Sequence, residues 1–366
     1  AARLGSKVAL VQDRTIFGGN NSPEISVHLG GWGLPGKLVT PEVAGDFPNK
    51  PSDPKWWDVS SSPASLAERK RQAVIDAEKN ISQFRGWRAF SCRKEADRIV
   101  SVDARNIFTG REARFTAPVF IDCTGDGWIG YYAGADFRHG QEGRSEHNEP
   151  LAPEQPVKMT LGSTLMWCAA PTGKPVEFPD VPWATAVSKT RTGMSGDWQW
   201  EYGHYRDTVW EAEEIRDHLF RAIYGTFAGT RRKNPEKYGN HDLIRINYIL
   251  GKRESRRLLG DYIMSQTDCT ENVEKPDKVS EGGNPFDLHV PISENAFIVK
   301  IDPRVTLHQR TRFDVPFRCL YSRNVANLLM AGRCISVTRI AHSCMRIQNT
   351  GGQNGVAVGA AAFLCK

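Results

Sequence analysis

The chain has 366 residues, 40% of them hydrophobic and 25% charged, so it is long enough for about two globular domains with buried cores. Its net charge of +6, from 48 basic and 42 acidic side chains without a long basic run, argues against nucleic acid as a partner. No apolar run approaches the roughly 18 residues that span a bilayer. The eight cysteines form no CxxC pair and no spacing suited to zinc, which predicts no metal and favours a reducing, cytoplasmic compartment.

The N-terminal segment is typical of the second half of a dinucleotide-binding unit. Residues 1–5 (AARLG) predict the end of a helix, and residues 7–11 (KVALV) predict a strand buried in a parallel sheet. The GxGxxG turn that should precede this pair is missing. We therefore expect that the chain lacks its natural N-terminus, which also leaves an exported form open.

Polar and glycine residues follow this strand. Gln12 and Asp13 stand where such folds contact the adenosine ribose, usually through a carboxylate, although an ordinary strand end would look the same. Gly18, Gly19 and Asn20 open a glycine-rich stretch in which backbone amides can approach a ligand closely. A tight turn without a ligand is the alternative explanation for these glycines.

Further along the chain, the pattern predicts a helix over residues 64–78 and a meander over residues 81–93, 99–108 and 113–123. The last strand breaks into Thr124-Gly125-Asp126-Gly127, as strands do at the ligand-binding edge of a doubly wound sheet. A helix is predicted over 209–227, a second buried strand over 327–331 before Gly332-Arg333, and a small-residue helix over 352–364 with Thr350-Gly351 at its start.

Three blocks in order resemble the FAD-dependent oxidoreductases of the xanthan-lyase-associated or FAD-binding dehydrogenase type. They are residues 120–140 (FIDCTGDGWIGYYAGADFRHG), 251–262 (GKRESRRLLGDY) and 327–355 (NLLMAGRCISVTRIAHSCMRIQNTGGQNG). The resemblance implies a glutathione-reductase-like FAD domain interrupted by a substrate domain. The expected fold class is α/β, with a Rossmann-like FAD/NAD(P)-binding domain at 1–150, an inserted α+β substrate domain at 151–314, and a return to the first domain at 315–366.

The resemblance also implies positions that contact FAD. Besides Gln12 and Asp13 at the ribose, these are Gly18, Gly19 and Asn20 near the pyrophosphate or ribityl chain, Thr124, Gly125 and Asp126 near the adenosine and pyrophosphate, and Gly332 and Arg333 near the ribityl and phosphates. The amides of Thr350, Gly351 and Gly352 would point at the flavin pyrimidine ring, because a helix N-terminus carries partial positive charge and free N–H donors.

Two histidines are candidate proton acceptors for the reaction. His289 follows Asp287, which could orient its imidazole, and His342 precedes the final helix; an exposed loop histidine and a packed structural histidine are the respective alternatives. His28 is a third candidate. In the block at residues 253–257, Arg256 or Arg257 is expected to bind an anionic group of FAD or substrate, against the alternative of a solvated charged face.

These expectations predict an FAD-dependent oxidoreductase that transfers a hydride between a small polar substrate and flavin N5. A carbohydrate is a candidate substrate because of the family association and the aromatic inventory, which includes Trp183, Trp198, Trp200 and Trp210. The electron acceptor is unknown, and a reductase that uses NAD(P)H is the rival within enzymes. The alternative from another class is a non-catalytic, carbohydrate-associated accessory protein that retains the flavoprotein fold.

Overall fold

The computed structural model describes residues 1–27, 63–292, 297–305 and 312–365. The strands in chain order are β1 (Val8–Gln12), β2 (Ile81–Arg85), β3 (Trp87–Glu95), β4 (Arg98–Asn106), β5 (Glu112–Phe115), β6 (Phe120–Asp122), β7 (Phe137–Arg138), β8 (Ser163–Thr164), β9 (Trp167–Pro171), β10 (Ser195–Gly196), β11 (Glu201–Tyr202), β12 (His241–Ile246), β13 (Gly251–Lys252), β14 (Arg257–Leu258), β15 (Lys278–Gly282), β16 (His289–Pro291), β17 (Val299–Ile301), β18 (Phe313–Pro316) and β19 (Leu328–Met330).

The helices in chain order are α1 (Pro63–Ala77), α2 (Trp128–Tyr132), α3 (Arg144–His147), α4 (Pro182–Ser188), α5 (Ala212–Lys233), α6 (Pro235–Tyr238), α7 (Gln266–Glu271), α8 (Arg339–Met345) and α9 (Gln348–Leu364). Short 3-10 turns cover Ala2–Leu4, Gly19–Asn21, Phe317–Cys319 and Gly332–Cys334. In the part of the chain that the structure describes, no helix is both long enough and apolar enough to span a bilayer.

Two pairs of the described strands are parallel. β1 pairs with β2, and β6 pairs with β19 in a register that sets Phe120 opposite Leu328 and Asp122 opposite Met330. The described strands thus form two parallel pairs and not one continuous wound sheet, so the Rossmann-like arrangement stays a prediction. The prediction that β1 is a buried strand is wrong, because its described partner lies on one side and Ala9 is exposed.

Antiparallel strands make up the rest. β3, β4 and β5 form a meander, as expected, but the predicted first strand over 81–93 is divided, and its part β2 pairs with β1 instead. β10-β9-β12 and β11-β8-β13 form two three-stranded sheets in the middle of the chain. The pairs β7–β14, β15–β18 and β16–β17 complete the described strands. The fold is therefore a mixed helix and strand structure, as the predicted fold class requires at its coarsest level.

Two large hydrophobic cores hold many of the described elements, beside two small clusters. The larger core packs β6 and β19 against α8 and α9, with Met330, Ile340 and Val358 among its buried members. The second core lies between residues 165 and 250 together with Phe297, and it covers α5 through Ile215, Leu219 and Phe227. Several side chains between residues 258 and 313 pack in the first core and not in the second. The two cores therefore do not follow the predicted substrate-domain limits of 151 and 314, which stay a prediction.

Two helix limits differ from the sequence-based expectation. α5 extends beyond residue 227 to Lys233, where Arg231 and Arg232 with Lys233 place positive charge in its last turn and favour continuation of the helix. α9 begins at Gln348 and not at residue 352. This earlier start matters for the site, because it changes which backbone amides remain without a helical partner.

Candidate functional site

A buried carboxylate organises the turn that follows β6. Asp122 accepts hydrogen bonds from the backbone N–H of Thr124 at 2.9 Å, from the Thr124 hydroxyl at 2.7 Å and from the Gly130 N–H at 3.0 Å. Complete burial raises the pKa of Asp122, and these donors oppose the shift. Asp122 thereby fixes Thr124 and Gly125 between the strand and the start of α2.

The turn after β19 lies beside the turn after β6. Since the two strands are parallel neighbours, their carboxyl ends meet at one edge. A Cβ on Gly125 would lie 2.5 Å from Nη2 of Arg333, so a larger residue would displace this guanidinium. Gly332 has a φ of +86°, and a Cβ there would meet nothing within 4 Å. Sequence reasoning named all three residues, and the fold brings them together.

A charge cluster connects this edge to β13. Asp126 accepts hydrogen bonds from the ammonium of Lys252 at 2.8 Å, from the hydroxyl of Ser255 at 2.9 Å and from the guanidinium of Arg333 at 3.3 Å. Burial alone would raise the pKa of Asp126, but Lys252 and Arg333 outweigh it and lower the pKa to about 2. Within the described part of the chain, two cations therefore share one carboxylate, which leaves one positive charge in excess.

The N-terminus of α9 reaches the same edge. Gly351 comes so close to the turn after β19 that a Cβ on it would lie 3.3 Å from Cα of Gly332. The Gly351 N–H already donates to the Ile347 carbonyl at 3.0 Å, so the predicted ligand-facing amides are displaced toward the chain start. The first-turn amides, of Gln348 to Thr350, are the ones without a partner one turn earlier in the helix.

A cavity of about 230 Å³ opens between these elements. Its lining combines a cationic side with an apolar side and one tryptophan. The lining residues are Asn20, Val27, Thr164, Met166, Trp198, Gly251, Lys252, Arg253, Asp287, His289, Ile301, Arg333, Arg346, Ile347 and Gln348.

His289 lies in the cavity wall between two carboxylates. Its Nδ1 is 2.5 Å from Oε2 of Glu201, and its Nε2 is 2.8 Å from Oδ1 of Asp287. Since carboxylate oxygens only accept, both ring nitrogens must carry protons for both contacts to be hydrogen bonds. Burial would lower the pKa of His289, but Glu201 and Asp287 outweigh it and the pKa is raised.

The charges around His289 continue in both directions. Asp287 accepts from the Arg346 guanidinium, and Glu201 lies 3.3 Å from Nη1 of Arg253. Arg253 also donates to the Thr164 hydroxyl at 2.6 Å. The result is a chain of alternating charge, from Arg346 through Asp287, His289 and Glu201 to Arg253, with three cations and two carboxylates.

The raised pKa of His289 gives a pH-dependent contribution to stability. Its ion pairs stabilise the fold fully below the unfolded-state pKa of about 6.5, and the contribution is lost as the pH rises through the folded-state pKa. We expect the melting temperature of the wild type to fall as the pH rises over this range. The fall should be smaller in His289→Gln, which lacks the titrating group. His241→Gln is the control that should keep this fall, because burial lowers the pKa of His241 and its contribution to stability has the opposite pH dependence. Identical profiles for wild type and His289→Gln would contradict the protonated state.

His342 has a different environment. It is fully buried in α8, with Nε2 3.0 Å from the Arg333 carbonyl and with Nδ1 lacking a partner in the described part of the chain. Burial, followed by the charge of Arg257, lowers its pKa well below the usual value, so it is a neutral imidazole that donates from Nε2. It does not line the cavity. His28 lies outside the described residues.

The predicted anion-binding arginines are both buried, and neither lines the cavity. Arg257 donates to Glu142 at 2.8 Å and to the Val337 carbonyl at 2.8 Å. The Arg256 guanidinium lies among aromatic rings, with its carbon 4.1 Å from the centroid of Tyr131 and also close to Trp128, Phe137 and Trp210. The arginine of this block that reaches the cavity is Arg253.

The remaining predicted residues lie near the chain start. Gln12 donates to the Ile16 carbonyl at 3.2 Å, and Asp13 is exposed. Asn20 lines the cavity and donates to the Lys252 carbonyl at 2.9 Å, which ties the 3-10 turn after Gly18 and Gly19 to the site. Of the tryptophans, Trp198 lines the cavity, Trp200 is buried in the second core, and Trp183 and Trp210 are exposed.

Sequence reasoning missed five charged residues of this site. Lys252 and Arg253 stood inside the block that carried the resemblance, and Asp287 was considered only as the neighbour of His289. Arg346 stood inside the third block of the resemblance, at residues 327–355, without being singled out, and Glu201 had no motif around it. Glu201 is separated from His289 by 88 positions, so no local pattern could have paired them.

A family model described as FAD dependent oxidoreductase matches residues 1–366, which is the whole chain. The chain belongs to the FAD-dependent oxidoreductase family. It is a flavin enzyme, and FAD is the cofactor of its family. No curated protein matches it.

Two solved structures are similar to this FAD-dependent oxidoreductase. The myxobacterial chondrochloren halogenase, described as a new variant of FAD-dependent halogenases, shares 12% identity with a TM-score of 0.37, over 100% of this chain and 70% of that chain. Pyridoxine 4-oxidase from Mesorbium loti shares 11% identity with a TM-score of 0.24, over 82% of this chain and 61% of that chain.

The residues at the strand edge suit part of an FAD molecule. Nη1 of Arg333 and Oε1 of Gln348 are buried without a hydrogen-bond partner in the described residues. One donor and one acceptor are therefore available for hydrogen bonds to a ligand. The space beside the Cα of Gly332 is open, so a ligand can approach the backbone there. The cavity of about 230 Å³ is smaller than the roughly 300–1,000 Å³ of typical ligand pockets, so it would take one portion of the cofactor or a small substrate.

Proposed function

We propose that this oxidoreductase acts on a small polar substrate, with a carbohydrate as the candidate class, in the cavity beside His289. One observation carries the proposal. The same cavity is lined by two positions predicted to contact FAD, Asn20 and Arg333, and by the predicted catalytic residue His289. Bound FAD would supply the redox chemistry, which is the exchange of a hydride at flavin N5.

The chain's own groups would hold the cofactor at the edge formed by β6 and β19. Lys252 and Arg333 carry the excess positive charge there, which suits phosphate oxygens. The open amides of the first turn of α9 suit a ring edge that gains negative charge. Gln12 and Asp13 remain the proposed ribose contacts, and Gly18 and Gly19 the proposed close backbone approach.

The substrate would lie against Trp198, whose ring centroid is 5.2 Å from that of His289. An aromatic face beside hydrogen-bonding groups is the usual arrangement for a sugar ring, because C–H faces pack on the indole while hydroxyls reach the polar side. Asp287 is one-third exposed and is therefore the carboxylate that a substrate hydroxyl can reach. This arrangement supports a small polar substrate.

We assign proton transfer to His289 in preference to His342, because His289 lines the cavity and His342 does not. A protonated imidazole donates a proton from Nε2 once the substrate replaces Asp287 there. The same ring accepts a proton only above its raised pKa. Substrate oxidation should therefore accelerate as the pH rises through that pKa, and reduction should slow.

The test begins with the visible spectrum of the purified protein, where flavin bands near roughly 370 and 450 nm should survive gel filtration. Sugars and small polyols are then mixed anaerobically with the coloured protein, without nicotinamide. We expect one of them to bleach the flavin. We expect His289→Gln to slow the bleaching about 100-fold or more, the usual range for loss of an acid or base, while retaining the bands.

His241→Gln is the matched control and should bleach at the wild-type rate. Bleaching that is unchanged in His289→Gln would remove His289 from the reaction. Bleaching that requires NAD(P)H would support the reductase hypothesis, and a colourless protein that takes up no added FAD would support the accessory-protein alternative.

A further inference from the structure

We infer that the substrate of this cavity carries a carboxylate group, held by Arg346 and Arg253 beside His289. The inference rests on the proposed function, since it names the substrate class of the same cavity. It narrows a polar substrate to an acidic one, such as a sugar acid or another small ring compound with one carboxylate.

The charge balance on this side of the cavity favours an anion. Among the described residues, three cations, Arg253, His289 and Arg346, contact two carboxylates, Glu201 and Asp287. His289 is a cation in this arrangement, because both of its ring nitrogens face carboxylate oxygens and must carry protons to donate to them.

The two carboxylates are not equally placed. Glu201 is fully buried and does not line the cavity, whereas Asp287 and the three cations do. A ligand therefore meets three positive side chains and one negative side chain. Because an unneutralised charge in a protein interior is costly, an anionic ligand group gains more here than a neutral one.

Arg346 provides the directed contact. One of its terminal nitrogens donates to Asp287, but its buried Nε has no hydrogen-bond partner in the described residues. A guanidinium binds carboxylates through parallel N–H donors in one plane, so an N–H without a partner can donate to a second carboxylate. Arg346 can thus be shared between Asp287 and a substrate carboxylate.

The second cationic cluster has a separate assignment. Lys252 and Arg333 share Asp126 at the edge of β6 and β19, where we place the cofactor. Each cluster carries one excess positive charge, so a cofactor phosphate and a substrate carboxylate need not compete. The lining also has apolar side chains, which suit the ring of the ligand: Val27, Met166, Ile301 and Ile347 beside Trp198.

Matched pairs of small molecules test the inference on the flavin-loaded protein. Benzoate is compared with benzamide, and glucuronate with glucose, by perturbation of the visible spectrum and by thermal shift. We expect at least one carboxylate to bind about tenfold or more tightly than its neutral counterpart, and Arg346→Gln to weaken that binding about 10- to 100-fold. The preferred pair tells an aromatic acid from a sugar acid.

Two further variants separate charge from folding. Asp287→Asn removes the competing carboxylate and should tighten carboxylate binding several-fold, which the loss of an unrelated structural residue would not do. Arg333→Gln should lower flavin retention and leave the carboxylate affinity of the remaining loaded protein unchanged.

Equal binding of both members of each pair would overturn the inference while the flavoprotein assignment stands. Loss of flavin from Arg346→Gln with unchanged carboxylate binding would also overturn it, because the excess charge would then serve the cofactor. A protein without flavin bands would contradict the proposed function, and thermal shift would still measure carboxylate binding.

Discussion

Glu201→Ala is expected to destabilise the protein by about 3–5 kcal/mol, the usual cost of removing one partner from a buried ion pair. Glu201 is fully buried on β11. It accepts the Gly162 N–H at 2.7 Å, and its other oxygen contacts His289 and lies near Arg253. Removing it leaves Arg253 buried without its carboxylate contact in the described residues and leaves His289 with Asp287 alone. Its pKa is well below the usual value, since Arg253 and His289 outweigh the effect of burial.

Chemical denaturation of wild type and Glu201→Ala measures this loss. Glu112→Ala is the matched control, because Glu112 pairs with Arg105 on the surface with both side chains more than half exposed. Surface pairs contribute about 0–1 kcal/mol, so this control should remain close to wild type. A loss for Glu201→Ala no larger than that of the control would show that the charge chain is not a structural unit.

Arg257→Met is expected to cost a similar amount, about 3–5 kcal/mol, because it removes a fully buried cation that contacts two buried carboxylates. The Arg257 side chain is completely buried and contacts Glu142 at 2.8 Å and Glu254 at 3.5 Å. It also donates to the backbone carbonyls of Gly140 and Val337, which joins β14 to two loops. Its loss should therefore weaken the attachment of β14 to these two loops.

The same variant separates a structural role from the anion-binding role predicted for Arg257. Denaturation measures the stability loss, and visible absorption after gel filtration measures flavin retention at a temperature where the variant stays folded. We expect a large stability loss with flavin affinity close to wild type. Arg105→Met is the control for removal of a surface arginine. A stable Arg257→Met that releases flavin would restore the predicted anion-binding role.

Local patterns predicted the parts of the site that follow a strand. The Thr124-Gly125-Asp126 turn and the Gly332-Arg333 turn were recognisable because a strand, a glycine and a polar residue stand next to each other in the sequence. Their juxtaposition followed from the rule that parallel strands open ligand sites at their carboxyl ends. The structure brings Asp126 and Arg333 to 3.3 Å.

Long-range charge pairing was beyond sequence reasoning. The block at 253–257 has the composition of a solvated face, yet the structure buries it because its partners come from elsewhere, such as Glu142 for Arg257, 115 positions away. Likewise, Glu201 and His289 belong to separate sheets. The two-carboxylate environment that decides the charge of His289 exists only after these sheets pack.

The contact between Gly332 and the first turn of α9 has a consequence for ligand binding. The two backbones are in close contact here, so the edge of β19 positions the helix N-terminus. Its amide dipoles are therefore oriented before any ligand arrives. A ligand that binds there meets donors already fixed in direction, so little reorganisation energy is lost when negative charge develops on it.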